Sequence, residues 1–236
     1  MKTTARGKTR KVLVVDVGGN HVKILATGQP EPRKIPSGLK MTARQMVQQV
    51  KRAARDWVYH VVSIGYPGPV VHDRPLREPH NLGRGWVGFD FSKAFGCPVK
   101  VINDAAMQAM GSYQGGRMLF LGLGTGLGSA MIVDGILEPM ELAHLRYKKG
   151  TYEDYVGLRG LKRLGKKKWR RQVARVVEEL KQALGADYVV LGGGNAKKLK
   201  KLPPKTRLGD NQNAFLGGYG LWGAGQGKLG VPVVRA

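Results

Sequence analysis

The residues of this chain that could carry chemistry gather where apolar runs break. "CPVKVIND" (97–104) is a strand-like run ending on Asn103 and Asp104, and "AAMQAMGSY" continues it as a helix from near Ala105. In open α/β sheets ligands sit at the carboxyl ends of strands. An aspartate there can accept a proton from a substrate hydroxyl; it can equally do no more than cap the helix. Two glycine clusters break apolar runs in a similar way: Gly18-Gly19-Asn20 after "VLVVDV", and Gly124-Thr125-Gly126 after "MLFLGL". A third, Gly192–Gly194, follows "YVVL". Glycine at a strand end permits positive φ, and bare N–H groups in such a turn form a nest for anions. Two such turns would grip one phosphate chain from both sides. Ordinary hairpin turns are the plain alternative; the recurrence of the pattern and the third cluster weigh against it. Neither turn is a dinucleotide fingerprint, because each leads into a strand where that motif opens a helix. No GKS or GKT is present, so there is no P-loop.

The elements that must position these residues alternate between strand and helix. Residues 12–17 and 21–26 read as a hairpin. Thr42 and Gln45 have capping-box spacing, and Met46, Val50, Ala53, Ala54 and Trp57 follow at helical spacing. Val61–Ile64 is a short buried strand, and residues 77–90 are a loop that carries aromatics. Residues 118–135 repeat the opening theme; setting Asp16-Val17-Gly18 on Gly122-Leu123-Gly124 superimposes the two hairpins about 106 residues apart, as two related halves would. Residues 168–185 form the clearest helix, with Trp169, Val173, Val176, Val177, Leu180 and Leu184 on one face. Strand, triple glycine and helix follow over 188–199, and 209–225 reads as a glycine-interrupted helical end. The class is α/β.

Charge sets the partners. The 236 residues carry a net charge of +24, a field that attracts polyanions. Two basic runs dominate it, "LKRLGKKKWRR" (161–171) and "KKLKKLPPKTR" (197–207). They carry no signature of a nucleic-acid module, so nucleic acid is a possible partner but not the favoured one, and a solvated basic face is the bland reading. No apolar stretch reaches transmembrane length and the N-terminus shows no signal-peptide pattern, so no membrane partner and a cytoplasmic location are expected. The single cysteine, Cys97, precludes an internal disulfide and reads as a small buried hydrophobe. Glu141 and His144 share a face if their segment is helical.

In their order along the chain, "VDVGGN", "GYPGPV", "HNLGRGW", "INDA", "LGLGTGLGSAMIVDG", "ELAH" and "LGGGNAKKL" resemble the ROK sugar kinases of the actin/hexokinase/Hsp70-like superfamily, the polyphosphate-glucokinase branch above all. The resemblance covers roughly residues 11–225. It implies a two-lobed actin-like ATPase (ribonuclease H-like) fold with a central cleft: a small lobe over 11–112, a larger one over 113–225, and a tail over 226–236. It implies phosphoryl transfer from polyphosphate or ATP, with Mg²⁺, to a hexose hydroxyl, glucose first among them. Asp104 matches the catalytic base. Asn81, Asn103, Glu141 and His144 match sugar contacts, and Glu153 is the best candidate for a second glutamate, with Asp154 its rival. Asp16, Gly18, Gly19, Asn20 and Lys23 fall on the first phosphate hairpin, Gly124, Thr125 and Gly126 on the second, and Gly192, Gly193 and Gly194 on the donor-side loop. The three-cysteine zinc cluster usual near that histidine has no counterpart in "RYKKGTYEDYVG", so no structural zinc is expected. A homodimer is expected. Rival readings are an ATP-only kinase for another hexose, and a nucleic-acid-binding or sugar-sensing protein on the same scaffold.

Overall fold

The computed structural model describes residues 10–210 and 212–223, with the backbone of 233–234. The expected tail therefore lies outside the described residues except for those two positions.

Residues 12–103 build the first sheet. Strands β1 (Val12–Val17) and β2 (His21–Ala26) form the opening hairpin, and β3 (Arg33–Pro36) extends it. Helix α1 (Ala43–Ala53) starts at Thr42, whose side chain accepts from the Gln45 N–H while the Gln45 side chain reaches back to the Thr42 N–H, closing the capping box. The chain then crosses to β4 (Val61–Tyr66), makes the small hairpin of β5 (Val70–Val71) and β6 (Arg74–Pro75), and passes through α2 (Phe91–Phe95) to β7 (Val99–Asn103). The strand order is β3-β2-β1-β4-β7, with β1, β4 and β7 parallel. Their carboxyl ends share one edge. Helix α3 (Asp104–Ser112) leaves that edge.

The second sheet opens with β8 (Arg117–Leu123) and β9 (Leu127–Val133), an antiparallel hairpin like the first, and continues into β10 (Ile136–Met140). The small pair β11 (Arg146–Tyr147) and β12 (Gly150–Thr151) leads into α4 (Tyr152–Val156) and α5 (Leu158–Ala183). Strand β13 (Tyr188–Gly192) runs parallel to β8, β14 (Thr206–Leu208) parallel to β13, and β15 (Val233–Val234) parallel to β10. Helix α6 (Asn213–Gly220) returns to the first sheet.

Alternation along the strands explains how the halves join. Leu13, Val15 and Val17 enter a core on the outer face of the first sheet, while Val12 and Val14 enter a core shared between the halves. In β8, Leu119, Leu121 and Leu123 enter the second half's own core, and Met118 and Phe120 the shared one. Each strand is buried on both faces, which is why it reads as a continuous apolar run. The shared core is filled by Ala105, Ala106, Met107 and Ala109 of α3 with Ala214 and Phe215 of α6. Ser63, fully buried in β4, donates to the Gly218 carbonyl and accepts from Trp222 Nε1. Lys100 Nζ donates to the Leu221 carbonyl. These bonds fasten the returning segment to the first half.

Three expectations need correction. Helix α5 begins at Leu158, ten residues before the sequence suggested, with non-helical geometry at Gly165; the basic run 161–171 therefore lies wholly within it. Trp57 lies beyond α1, buried in the turn after it, with the Arg33 guanidinium 4.1 Å over its ring. Cys97 is only partly buried against the first core.

Candidate active site

The site assembles where the carboxyl ends of β1, β7 and β8 meet the start of α3. Asn103 is the N-cap of α3. Its Oδ1 accepts from the N–H groups of Ala105 and Ala106, at 2.9 and 3.1 Å, and its Nδ2 donates to the Gly68 carbonyl. One amide hydrogen remains for a ligand. With the cap supplied by its neighbour, Asp104 is free for other work; its Oδ1 accepts from the Ala105 N–H, at 2.8 Å. Burial pushes the Asp104 carboxyl up to about 7, the negative charges of Asp16 and Glu141 add to the rise, and the backbone N–H groups oppose it. A carboxyl poised there suits proton transfer near neutral pH.

Asp16 is the fixed charge of the first turn. Its carboxylate stands 3.5 Å from Lys23 Nζ on the paired strand, and burial raises its pKa against the pull of that lysine. The turn itself is held from β3: Ser37 Oγ donates to the Gly18 carbonyl at 2.6 Å and Ser37 N to the Asn20 carbonyl. Gly19 is needed for proximity. A Cβ there would lie 2.8 Å from the Cβ of Asn81, so the loop carrying Asn81 rests directly on the first turn.

The second turn is held differently. Asn195 N donates to the Leu123 carbonyl and Asn195 Nδ2 to the Gly124 carbonyl at 2.8 Å. Gly193, at φ 80°, packs so closely on Leu123 that a Cβ would lie 2.6 Å from its carbonyl carbon. Leu158 N donates to the Thr125 carbonyl, and the Glu153 carboxylate stands where a Cβ on Gly126 would go. Gly128, on the returning strand, brings the hairpin against Ala105: a Cβ would lie 2.7 Å from that of Ala105.

These contacts overturn one expectation. Gly18, Gly19, Gly124 and Gly126 all have φ outside the left-handed region, and of the three donor-side glycines only Gly193 lies in it. The glycines of the two turns serve close approach rather than unusual φ. The N–H groups of Gly19, Asn20, Thr125 and Gly126 make no hydrogen bond among the described residues. A Cβ at Gly124 or Gly194 would meet open space.

On the sugar side the candidates separate. Glu141 joins Asp104 and Asp16 electrostatically. Its turn is tied to β9 by Ser129, whose Oγ donates to the Met140 carbonyl and accepts from Leu142 N. Residues 141–145 form a turn and not a helix, so the face shared by Glu141 and His144 does not arise. His144 is exposed and makes no hydrogen bond to the other candidates. Between the rivals, Asp154 is consumed locally: it closes a capping box with Thr151 and pairs with Arg159 at 3.0 Å. Glu153 alone faces the second turn, and its N–H donates to the Ala143 carbonyl. Trp86, fully buried beside Tyr66 and Phe91, underlies the Asn81 loop.

Sequence reasoning missed Asn195, Ser129 and Ser37. A lone polar residue inside a strand, or directly after a glycine cluster, was the available signal. A cavity of about 520 Å³ lined by Asp73, Asp90 and Phe91 holds none of the candidates. Among the described residues no His, Cys, Asp and Glu cluster forms a metal site, and no helix is long and apolar enough to cross a membrane.

Comparison with known proteins bears on this arrangement. The family model described as the ROK family matches residues 7–139, more than half of the chain. The polyphosphate glucokinase of Mycobacterium tuberculosis is 27% identical over 216 residues, 80% of each chain. Among solved structures, the inorganic polyphosphate/ATP-glucomannokinase of Arthrobacter sp. strain KM superimposes with a TM-score of 0.75 at 22% identity, over 88% of this chain and 96% of that one. The ROK family glucokinase of Streptomyces griseus, solved with glucose and AMPPNP, gives 0.69 at 18% identity, over 88% and 97%. The paired sheets, the repeated hairpins and the family match lead to one conclusion: the chain belongs to the ROK family and has its actin-like ATPase fold.

Proposed function

We propose that the chain is a sugar kinase that transfers a phosphoryl group from polyphosphate or ATP to a hexose hydroxyl, glucose to glucose 6-phosphate first. The observation that carries this reading is Asp104, set between two turns of unpaired N–H groups and poised near neutrality. Asp104 would accept the hydroxyl proton as the sugar oxygen attacks the terminal phosphorus. Asn81, Glu141 and Glu153 would orient the sugar, with the spare amide hydrogen of Asn103; His144, exposed on the same turn, would close over it. The N–H groups of Gly19, Asn20, Thr125 and Gly126 would hold the phosphates, since this chemistry rests on positioning and charge neutralisation.

The residues fit a divalent cation brought by the donor. Asp16 is a largely buried carboxylate whose one cationic partner is 3.5 Å away, so it has capacity to hold hydrated Mg²⁺ against the phosphates. When bound, the metal would neutralise phosphoryl charge.

The donor reading rests on the basic runs. Arg170 Nε of α5 donates to the Lys198 carbonyl at 2.7 Å, and Lys198 Nζ donates to Asn195 Oδ1. The two runs thus form one surface that begins at the residue bracing Gly124. A long polyphosphate leaving the cleft would lie on it, and the M. tuberculosis and Arthrobacter relatives are named for that donor. A coupled assay of glucose with ATP, GTP and polyphosphate tests both parts. Lys197, Lys200 and Lys201 are exposed and free of Asn195. Replacing all three with Gln should raise the Michaelis constant for long polyphosphate, flatten its salt dependence and spare sugar binding. Activity with ATP alone, or equal salt dependence for both donors, would rule out the polyphosphate reading; no turnover of any hexose would rule out the kinase.

A further inference from the structure

Three tyrosine rings lie next to the sugar-side carboxylates without entering the chemistry. Tyr147 of β11 stacks on Tyr152 of α4, with centroids 5.0 Å apart and planes at 22°. Tyr155 meets Tyr147 edge-on at 5.2 Å. Tyr147 and Tyr152 are buried. Lys148 Nζ lies 5.2 Å from the Tyr147 centroid and 5.5 Å from that of Tyr155, and the Arg163 guanidinium 4.9 Å from Tyr155. Two hydroxyls reach α5: Tyr147 donates to Gln172 Oε1 at 3.2 Å, and Tyr152 to Glu179 Oε1 at 2.9 Å. Lys148 Nζ donates to the same Gln172 oxygen at 2.6 Å.

The backbone running through the stack bears the candidate carboxylates. Tyr152 N donates to the Leu145 carbonyl and Glu153 N to the Ala143 carbonyl, both at 3.1 Å. The turn of Glu141 is therefore laced to the start of α4. Helix α4 has only five residues, too few to be stable without tertiary packing. That packing is the ring stack on one side and α5 on the other.

We propose that the Tyr147–Tyr152–Tyr155 stack, anchored on Gln172 and Glu179, is the positioning device for the sugar-binding face of the cleft. The three tyrosines are positioning residues: they set Glu141 and Glu153 against the second turn and touch neither sugar nor donor. The proposal rests on the kinase reading above. It predicts that loosening the stack weakens sugar capture more than donor binding, because the donor turns keep their bonds to Ser37 and Asn195 even though the second also touches Glu153 and Leu158.

The test compares Tyr147→Ala with Tyr147→Phe, reading amide hydrogen exchange over 141–156 and the Michaelis constants of glucose and donor. Tyr147→Ala should speed exchange in that segment by about tenfold or more. It should raise the glucose constant by on the order of tenfold and leave the donor constant within about twofold. Tyr147→Phe keeps the ring and loses the bond to Gln172, so it should show the same selectivity as Tyr147→Ala at a size no larger than that of Gln172→Ala. If Tyr147→Ala does not fold, Gln172→Ala and Glu179→Gln release the same segment from α5 without emptying the core, and should give the same selectivity at smaller size. Sugar and donor constants rising together, or exchange unchanged, would overturn the proposal. Exchange needs no substrate, so an inert wild-type protein would defeat the kinase reading while the exchange result still judges the stack.

Discussion

In the first turn an aspartate, Asp16, stands two residues before Gly18; at the matching place before Gly124 the second turn has Gly122. Both strands enter their turns buried on both faces, and both turns leave two N–H groups open. The attachments differ. The first turn is braced by a serine of its own sheet and overlain by the Asn81 loop; the second is braced by Asn195 from a parallel strand end and overlain by Glu153. The repeat is one of backbone, and the chemistry was added to each copy separately. The first turn carries a carboxylate on its own strand, Asp16, whereas the second receives one from outside, Glu153 beside Gly126.

The largest break in that comparison is at the residue between the turns. Asp104→Asn keeps the shape and removes the base, and turnover should fall by on the order of 10²–10⁴ with sugar binding retained. Near-normal turnover would remove Asp104 from the mechanism. The same variant has a stability signature. The folded Asp104 binds its proton more tightly than the unfolded chain does, so that contribution to stability is full at low pH and is lost as pH rises through about 7. Asp104→Asn should therefore melt higher than wild type at pH 8, and the difference should shrink toward pH 4.

Next come the glycines of the second turn, which should not behave alike. Gly126→Ala puts a methyl where the Glu153 carboxylate stands and should raise the sugar Michaelis constant by about tenfold. Gly124→Ala has ordinary φ and open space, so its melting temperature should not move and only donor affinity should suffer. Equal effects on both substrates from both variants would mean that the turn is not divided between them.

Asp16→Asn sharpens the electrostatic side. The base must be ionised, so kcat/KM should fall as pH drops through about 7. Removing the like charge of Asp16 should move that acid limb to lower pH, alongside any loss of donor binding. A limb that stays in place would show that burial alone sets it. The smallest effect separates the braces. Ser37→Ala leaves the Ser37 N–H on Asn20, whereas Asn195→Ala removes the only side-chain bond to Gly124 among the described residues. Each lost bond is worth about 1 kcal/mol, and donor affinity should drop more in Asn195→Ala.

How far the sequence could be read depended on the kind of signal. The first hairpin was legible to the residue and the second to within two residues at its outer ends, because strands buried on both faces are unbroken apolar runs. The capping box at Thr42 was legible because its spacing is its mechanism. The start of α5 was not: Leu158, Leu161 and Leu164 recur at a spacing of three, but Gly165 and three lysines separate them from the apolar face that begins at Trp169. The choice between Glu153 and Asp154 could not be made from spacing, since both are carboxylates at the start of a helix. In the structure Thr151 takes Asp154 for its cap, which leaves Glu153 beside the second turn. The glycines of the two turns serve close approach rather than φ, and sequence does not show which neighbour comes within 3 Å. Asn195 acts on Gly124 from 71 residues away, so its position after a glycine cluster could flag it but not name its partner.

Helix α6 crosses α3 with almost no side chain between them. A Cβ on Gly111 would strike the carbonyl oxygen of Asn213, one on Gly217 that of Met107, and one on Gly218 the Val14 side chain. This contact has a consequence for the order of synthesis. A nascent chain that has made residues 12–112 holds every strand of its first sheet and α3, but the part of the inner face around Val14 and Ser63 that α6 covers waits about another hundred residues for it. Contacts so distant along the chain form slowly, and apolar surface exposed meanwhile invites association. The half of the molecule made first is thus completed late, by a glycine-rich helix still to come.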